Sequence, residues 1–120
     1  MAQVLALVDD LFFQAKLVET AKQLGVELRT CTTADALVAE ISKDAPKLIV
    51  VDLHARNNPI EAIERLRTAG SGIPLLGFFS HVEAELAERA RAAGCPTVMP
   101  RSKFTRDLAT ILAQVKSEST

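Results

Sequence analysis

Short apolar runs alternate five times with longer stretches of helical periodicity along this chain of 120 residues. Such alternation is typical of repeated βα units that build a parallel sheet. Strands are predicted over residues 4–8, 26–30, 48–52, 75–79 and 97–99. The first, third and fourth of these are almost wholly apolar, which favours strands that helices cover on both faces.

The predicted architecture is an α/β fold, a five-stranded doubly wound parallel sheet with helices on both faces. Right-handed crossovers and the length of the chain favour the flavodoxin-like strand order 2-1-3-4-5. The Rossmann order is the alternative, and it is disfavoured because no GxGxxG follows the first strand. These elements use up the sequence, so we expect a single domain over residues 1–120.

Five apolar residues of the first helical stretch recur at spacings of three and four and predict its buried face: Leu11, Ala15, Val18, Ala21 and Leu24. Gly25 then predicts the end of this helix. The other four helices are predicted over the segments that follow the later strands: from residue 33 or 34 to residue 45, 59–70, 82–93 and 105–115.

The charge of the chain and its N-terminus restrict the possible partners. Lys and Arg together number 14 against 15 Asp and Glu, and the net charge of −1 favours neither nucleic acid nor an anionic membrane surface. The N-terminal apolar run has no basic flank, which indicates a strand rather than a signal peptide. No stretch approaches the ~20 apolar residues of a membrane span. We therefore expect a cytoplasmic protein that binds neither membrane nor nucleic acid.

Two cysteines, Cys31 and Cys95, lie far apart and show no metal-ligand spacing. Because free cysteine behaves mostly as a small apolar residue, both are expected to be buried thiols.

Three aspartates follow predicted strands. Asp9 and Asp10 come directly after the first strand, and Asp52 ends the third. In doubly wound sheets, ligands bind at the carboxyl ends of the strands where the strand order reverses, here between strands one and three. The three carboxylates should converge there, and their mutual repulsion predicts a divalent cation, for which Mg²⁺ fits oxygen ligands best. The alternative is that each aspartate caps the helix that follows it.

The segments LALVDD and LIVVDL, together with the fivefold βα alternation, resemble a response-regulator receiver domain over nearly the whole chain. The resemblance implies that Asp52 accepts a phosphoryl group and that Asp9 and Asp10 hold Mg²⁺, with the backbone carbonyl of His54 as a further ligand. It also implies a histidine kinase or phosphotransfer protein as phosphodonor. A downstream protein, or a second copy in a homodimer, would bind the face formed by the fourth helix, fifth strand and fifth helix.

The sequence departs from the family pattern at the residues that would contact phosphate. Phe79 stands where the family has a Thr or Ser whose hydroxyl bonds the phosphoryl group, and a phenyl ring cannot donate that bond. Ser80 is the replacement candidate, or else a loop residue that caps the fourth helix. Arg101 stands in the position of the family's lysine, with Lys103 as a second candidate. The alternative is that both cations lie on a solvated loop.

Two further departures concern the switch and the loop after the third strand. Val98 stands where the family has an aromatic residue that moves between buried and exposed rotamers, and a small β-branched side chain cannot reproduce that movement. The loop HARNNP follows the third strand, and its Arg56 is expected to approach the acidic residues and neutralise them.

Two functions remain after this comparison. The first is a stand-alone receiver in phosphorelay signal transduction, whose one reaction is its own phosphorylation and dephosphorylation at Asp52. The second is a pseudo-receiver, a phosphorylation-independent interaction module in which Arg56 or Arg101 replaces metal or phosphate as counter-ion. A small enzyme is disfavoured because the chain has no GxSxG, no Gly-rich phosphate loop and no Trp or Tyr to stack a flavin.

Overall fold

The computed structural model describes residues 3–56, 58–69, 72–79 and 84–118, and of residues 116–118 it describes the backbone alone. Its strands are β1 Val4–Leu7, β2 Leu28–Cys31, β3 Leu48–Asp52, β4 Leu75–Phe79 and β5 Thr97–Pro100. Its helices are α1 Leu11–Leu24, α2 Ala34–Lys43, α3 Pro59–Thr68, α4 Ala84–Ala93 and α5 Arg101–Glu118.

The five strands form one parallel sheet in the order β2-β1-β3-β4-β5, as the sequence predicts. Strand β1 lies beside β3, with Leu7 opposite Val51. Since both strands run in the same direction, the residues that follow β1 and the last residue of β3 meet at one edge of the sheet. The register therefore places Asp9 and Asp10 next to Asp52.

Apolar side chains fill both sides of this sheet. One side packs against α1 and α5 through residues such as Leu17, Phe78 and Leu108. The other packs against α2, α3 and α4 through residues such as Leu37 and Ile63. The two cysteines are free and buried, as expected, and burial raises the pKa of both thiols.

The buried face of α1 differs from the predicted one. The helix buries Phe13, Leu17 and Ala21. Leu11 and Phe12 are 75% and 91% exposed, and Val18 is also exposed. Two apolar stripes run side by side on this helix, and the one that carries an aromatic ring has more area to bury against the sheet. The prediction that Leu11, Ala15 and Val18 face the core is therefore wrong.

The first residues of β2 and α5 also differ from the prediction. Strand β2 begins at Leu28 rather than at residue 26, because the N–H of Val26 donates to the carbonyl of Ala21 at the end of α1. Helix α5 begins at Arg101, four residues earlier than predicted. Phe104 lies one turn before Leu108 on the same apolar face and is completely buried, so its packing extends the helix toward β5. Among the residues described, no helix combines the length and apolar character of a membrane span.

Gly94, at the end of α4, has a backbone conformation that disfavours any side chain. Its φ is +120°, and a Cβ there would lie 2.6 Å from Cδ of Arg67. We expect Gly94→Ala to lower the free energy of unfolding in urea by about 1–3 kcal/mol, since backbone strain and the clash add. Gly72 is the matched control, because a Cβ there meets nothing within 4 Å. Gly72→Ala should stay within about 0.5 kcal/mol of the parent chain, and equal effects would contradict this account.

Candidate functional site

The three aspartates meet at the carboxyl edge of the sheet in different environments. Asp52 is the last residue of β3 and is only 4% exposed. Asp9 and Asp10 lie in the short connection between β1 and α1 and are half-buried. The site thus consists of one buried carboxylate and two that are partly exposed to solvent.

Asp52 is held by the backbone of the loop that follows it. Its Oδ1 accepts a hydrogen bond of 2.9 Å from the N–H of His54. Burial raises the pKa of the Asp52 carboxyl, while this hydrogen bond and the positive charge of Arg101 oppose the rise. Within the described part of the chain, no cation lies within ion-pair distance of Asp52. Its negative charge is therefore only partly compensated.

Asp10 is the N-cap of α1, which confirms the capping alternative for this residue. Its Oδ1 accepts from the N–H groups of Phe12 and Phe13 at 3.0 and 3.2 Å. Its Oδ2 accepts from a terminal nitrogen of Arg101 at 3.1 Å. The Phe13 hydrogen bond, followed by that from Arg101, lowers the pKa of the Asp10 carboxyl. Both carboxylate oxygens are thus engaged.

Arg101 is fixed by aromatic rings as well as by its ion pair. Its guanidinium carbon lies 4.2 Å from the ring centroid of Phe13 and 5.9 Å from that of Phe78. Phe78 in turn stacks on Phe104, with centroids 4.7 Å apart. We call Phe13, Phe78 and Phe104 the aromatic cluster. Because α5 begins at Arg101, this side chain starts from the helix N-terminus and lies across the cluster to reach Asp10.

Asp9 pairs with the loop after β3. Its Oδ2 accepts from the backbone N–H of Arg56 at 2.9 Å and from Nε of the same residue at 3.2 Å. Hydrogen bonding to Arg56 lowers the pKa of the Asp9 carboxyl, against a smaller rise from burial. The expectation that Arg56 approaches the acidic residues is confirmed. Its side chain remains 86% exposed, so this ion pair lies at the surface.

The other predicted phosphate contacts either pair with another acid or lie outside the described residues. Lys103 is in the first turn of α5, where its Nζ lies 3.5 Å from Oδ2 of Asp107. Arg101 and Lys103 thus belong to a helix rather than to a solvated loop. Phe79 ends β4 with its ring in the core, and Val98 is half-buried on β5. Ser80 lies outside the described residues.

The carboxylates as arranged do not fit a Mg²⁺ site. Within the described ranges, no group of three or more His, Cys, Asp or Glu side chains is placed to hold a metal ion. The Asp10 oxygens serve the helix cap and Arg101, and Oδ2 of Asp9 serves Arg56. Mg²⁺ ligation by Asp9, Asp10, Asp52 and the carbonyl of His54 remains a prediction from the resemblance.

The aromatic cluster that fixes Arg101 was not predicted from the sequence. A signal was present, because Phe13, Leu17, Ala21 and Leu24 also recur at helical spacing. Phe104 likewise lies four residues before Leu108, on the face that was assigned to the last helix. The pattern does not show that both helices meet Phe78 on one side of the sheet and leave a platform for a guanidinium group.

A doubly wound sheet in this strand order, with acidic residues at the carboxyl ends of β1 and β3, is the fold of response-regulator receiver domains. Comparison with solved structures confirms the predicted receiver fold. The receiver domain of Francisella response regulator 1452 matches over 100% of both chains, with a TM-score of 0.81 and 13% identity. The chemotaxis response regulator CheY4 of Vibrio cholerae matches with a TM-score of 0.79 and 20% identity, over 96% of this chain and 98% of its own.

NtrX from Brucella abortus matches 99% of this chain with a TM-score of 0.78 and 20% identity. This chain spans 28% of the length of that protein. A scan against protein-family models finds no match, and neither does a sequence search of curated proteins. At these identities the likeness establishes the fold, and the function has to be argued from the site.

The buried Asp52 carboxyl predicts a pH-dependent stability. Its pKa is raised in the folded chain, so its ionised form opposes folding above that pKa, and the penalty fades as the pH falls through it. Asp52→Asn removes the charge and retains an oxygen for the His54 N–H. We expect this variant to be more stable than the parent chain at pH 7, with the difference shrinking toward pH ~4, near the ordinary carboxyl pKa. Urea unfolding at both pH values measures this, and a loss of stability at pH 7 would contradict it.

Proposed function

We propose that this chain is a receiver-type signalling domain that acts by docking to a partner protein and not by accepting a phosphoryl group at Asp52. One observation carries the proposal. Asp52 is 4% exposed, and the basic side chains described around it pair with other acids.

Phosphoryl transfer to a carboxylate needs an accessible nucleophile and positive charge around the moving phosphoryl group. Arg56 is engaged by Asp9, Arg101 by Asp10 and Lys103 by Asp107. The side chain at the end of β4 is the apolar Phe79, which is buried and offers no hydrogen-bond donor. These arrangements support a role that does not depend on chemistry at Asp52.

The exposed apolar residues of α1 support a docking surface on this helix. Leu11, Phe12 and Val18 are the large hydrophobic side chains exposed among the described residues. They lie on α1 and not on the face of α4, β5 and α5, where the resemblance places the output. Large exposed apolar groups beside a site are typical of protein interfaces. We therefore place the docking surface on α1, with a histidine kinase or phosphotransfer protein as partner.

A phosphorylated receiver is the second candidate function. It is favoured by the position of Asp52, which ends β3 directly beside the acidic residues that follow β1. In this case Asp52 would accept the phosphoryl group with Mg²⁺ held by Asp9 and Asp10, and output or homodimerisation would use the face of α4, β5 and α5. The two candidates differ in one measurable step, the transfer of a phosphoryl group to Asp52.

Incubation with acetyl phosphate and Mg²⁺, and separately with beryllofluoride and Mg²⁺, tests that step. We expect intact-mass spectrometry to detect no phosphoryl adduct, because Asp52 is buried and pairs with no cation of the described residues. Amide NMR signals should likewise not respond to beryllofluoride. A receiver domain of known phosphorylation, treated in parallel, controls for the reagents. An adduct that disappears in Asp52→Asn would overturn the docking proposal in favour of the second candidate.

Substitutions on α1 test the docking surface. A protein captured by the full chain would be purified and its affinity measured by calorimetry. We expect Phe12→Ser to weaken binding about tenfold or more, which corresponds to about 1.4 kcal/mol of lost apolar contact. Since Phe12 is 91% exposed, this change leaves the core intact. Lys16→Ser, also exposed on α1, is the control for altering the helix surface. Equal affinities of the Phe12→Ser variant and the parent chain would contradict an α1 interface.

A further inference from the structure

Asp9 and Asp10, the two acids that follow β1, each form an ion pair with an arginine, and together these arginines supply two positive charges. We infer that Arg56 and Arg101 are built-in counter-ions that do the electrostatic work of a divalent cation, so that the charges of Asp9 and Asp10 are balanced without metal. The inference concerns the resting site and holds whether or not α1 is the docking surface.

The charges of Asp9 and Asp10 are balanced one for one by the two arginines. Asp9 and Asp10 carry two negative charges, and each forms an ion pair with one arginine, at 3.2 and 3.1 Å. Like charges at such close quarters otherwise raise each other's pKa. Each carboxylate here instead has a counter-ion that the chain itself supplies.

Three of the carboxylate oxygens that a metal would use already accept hydrogen bonds. Mg²⁺ requires carboxylate oxygens at ~2.0–2.1 Å in near-octahedral geometry. Oδ1 of Asp10 caps α1, and its Oδ2 accepts from Arg101. Oδ2 of Asp9 accepts from both the backbone and the side chain of Arg56. A metal ion that bound these three oxygens would displace their donors, and one of the losses would be the cap of a helix.

The two arginines differ in how firmly they are held. Arg101 lies over Phe13 and makes its ion pair from a partly buried position. Arg56 is 86% exposed and is held by Asp9 from the solvent side. Charged contacts at exposed positions are weak and exchange readily. Arg101 is therefore the permanent counter-ion, and Arg56 the one that can be removed with little disturbance to the fold.

Removal of the arginines should turn a metal-indifferent site into a metal-binding one. The full chain, freed of metal with a chelator, is compared with Arg56→Ala, Arg101→Met and the double variant. Methionine retains an unbranched side chain over Phe13 while removing the charge. Arg106→Met is the matched control, because Arg106 lies on the same helix and pairs with Asp107. Two readouts are used: Tm with and without millimolar Mg²⁺, and broadening of amide NMR signals by Mn²⁺.

We expect the Tm of the parent chain and of Arg106→Met to be unchanged by Mg²⁺, and Mn²⁺ to leave the signals of residues 9, 10 and 52 sharp. In the double variant Mg²⁺ should raise Tm by a few degrees in a saturable way, since a ligand that binds only the folded state stabilises it. Mn²⁺ should then broaden those three signals. Arg56→Ala should show the same response more weakly. If substitution of Arg101 prevents folding, Arg56→Ala by itself tests the inference.

Two results would overturn the inference. One is a saturable rise in the Tm of the parent chain with Mg²⁺ that Asp9→Ala abolishes. It would mean that Mg²⁺ displaces the arginines from the acids. The other result is a folded double variant whose Tm and NMR signals respond to neither ion. If the double variant does not fold, the same lack of response in Arg56→Ala counts instead. Either result would mean that something other than the arginines excludes metal. Neither result depends on Phe12, so failure of the docking surface and failure of this inference are separately visible.

Discussion

The parallel pairing of β1 with β3 sets the electrostatic problem that the rest of the site answers. Because Leu7 lies opposite Val51, the residues after β1 and the end of β3 share one edge, and three carboxylates meet there. Carboxylates so close together need hydrogen bonds or cations to remain ionised. The chain provides them from three directions: the start of α1, the loop after β3, and the start of α5.

The aromatic cluster connects this electrostatic site to the hydrophobic core. Phe13, Phe78 and Phe104 come from α1, β4 and α5 and are all buried, so the position of their rings is fixed by close packing. Arg101 lies against these rings and cannot leave Asp10 without also losing its contact with Phe13. The N-terminal ends of α1 and α5 are thereby joined by one side chain. Such a contact favours a site with a single stable arrangement.

Asp52 is the residue at which fold and function are in tension. Among the described residues no cation pairs with this buried carboxylate, whose charge opposes folding at neutral pH, and the hydrogen bond from the His54 N–H offsets only part of that effect. Sites that oppose stability are frequently those that a function once required or still requires. In this chain the same burial restricts access to Asp52, which is why the receiver fold and the phosphoacceptor role have to be judged separately.

The sequence by itself determined the architecture, since alternating apolar periods and chain length fix the strand order and bring Asp9, Asp10 and Asp52 to one edge. It also predicted the approach of Arg56, because a short loop after β3 cannot lie far from β1. Only the tertiary structure decided which stripe of α1 is buried and that Arg101 pairs with Asp10. Helical spacing is the same for two adjacent apolar stripes, and the partner of a long cation depends on packing between elements distant in sequence.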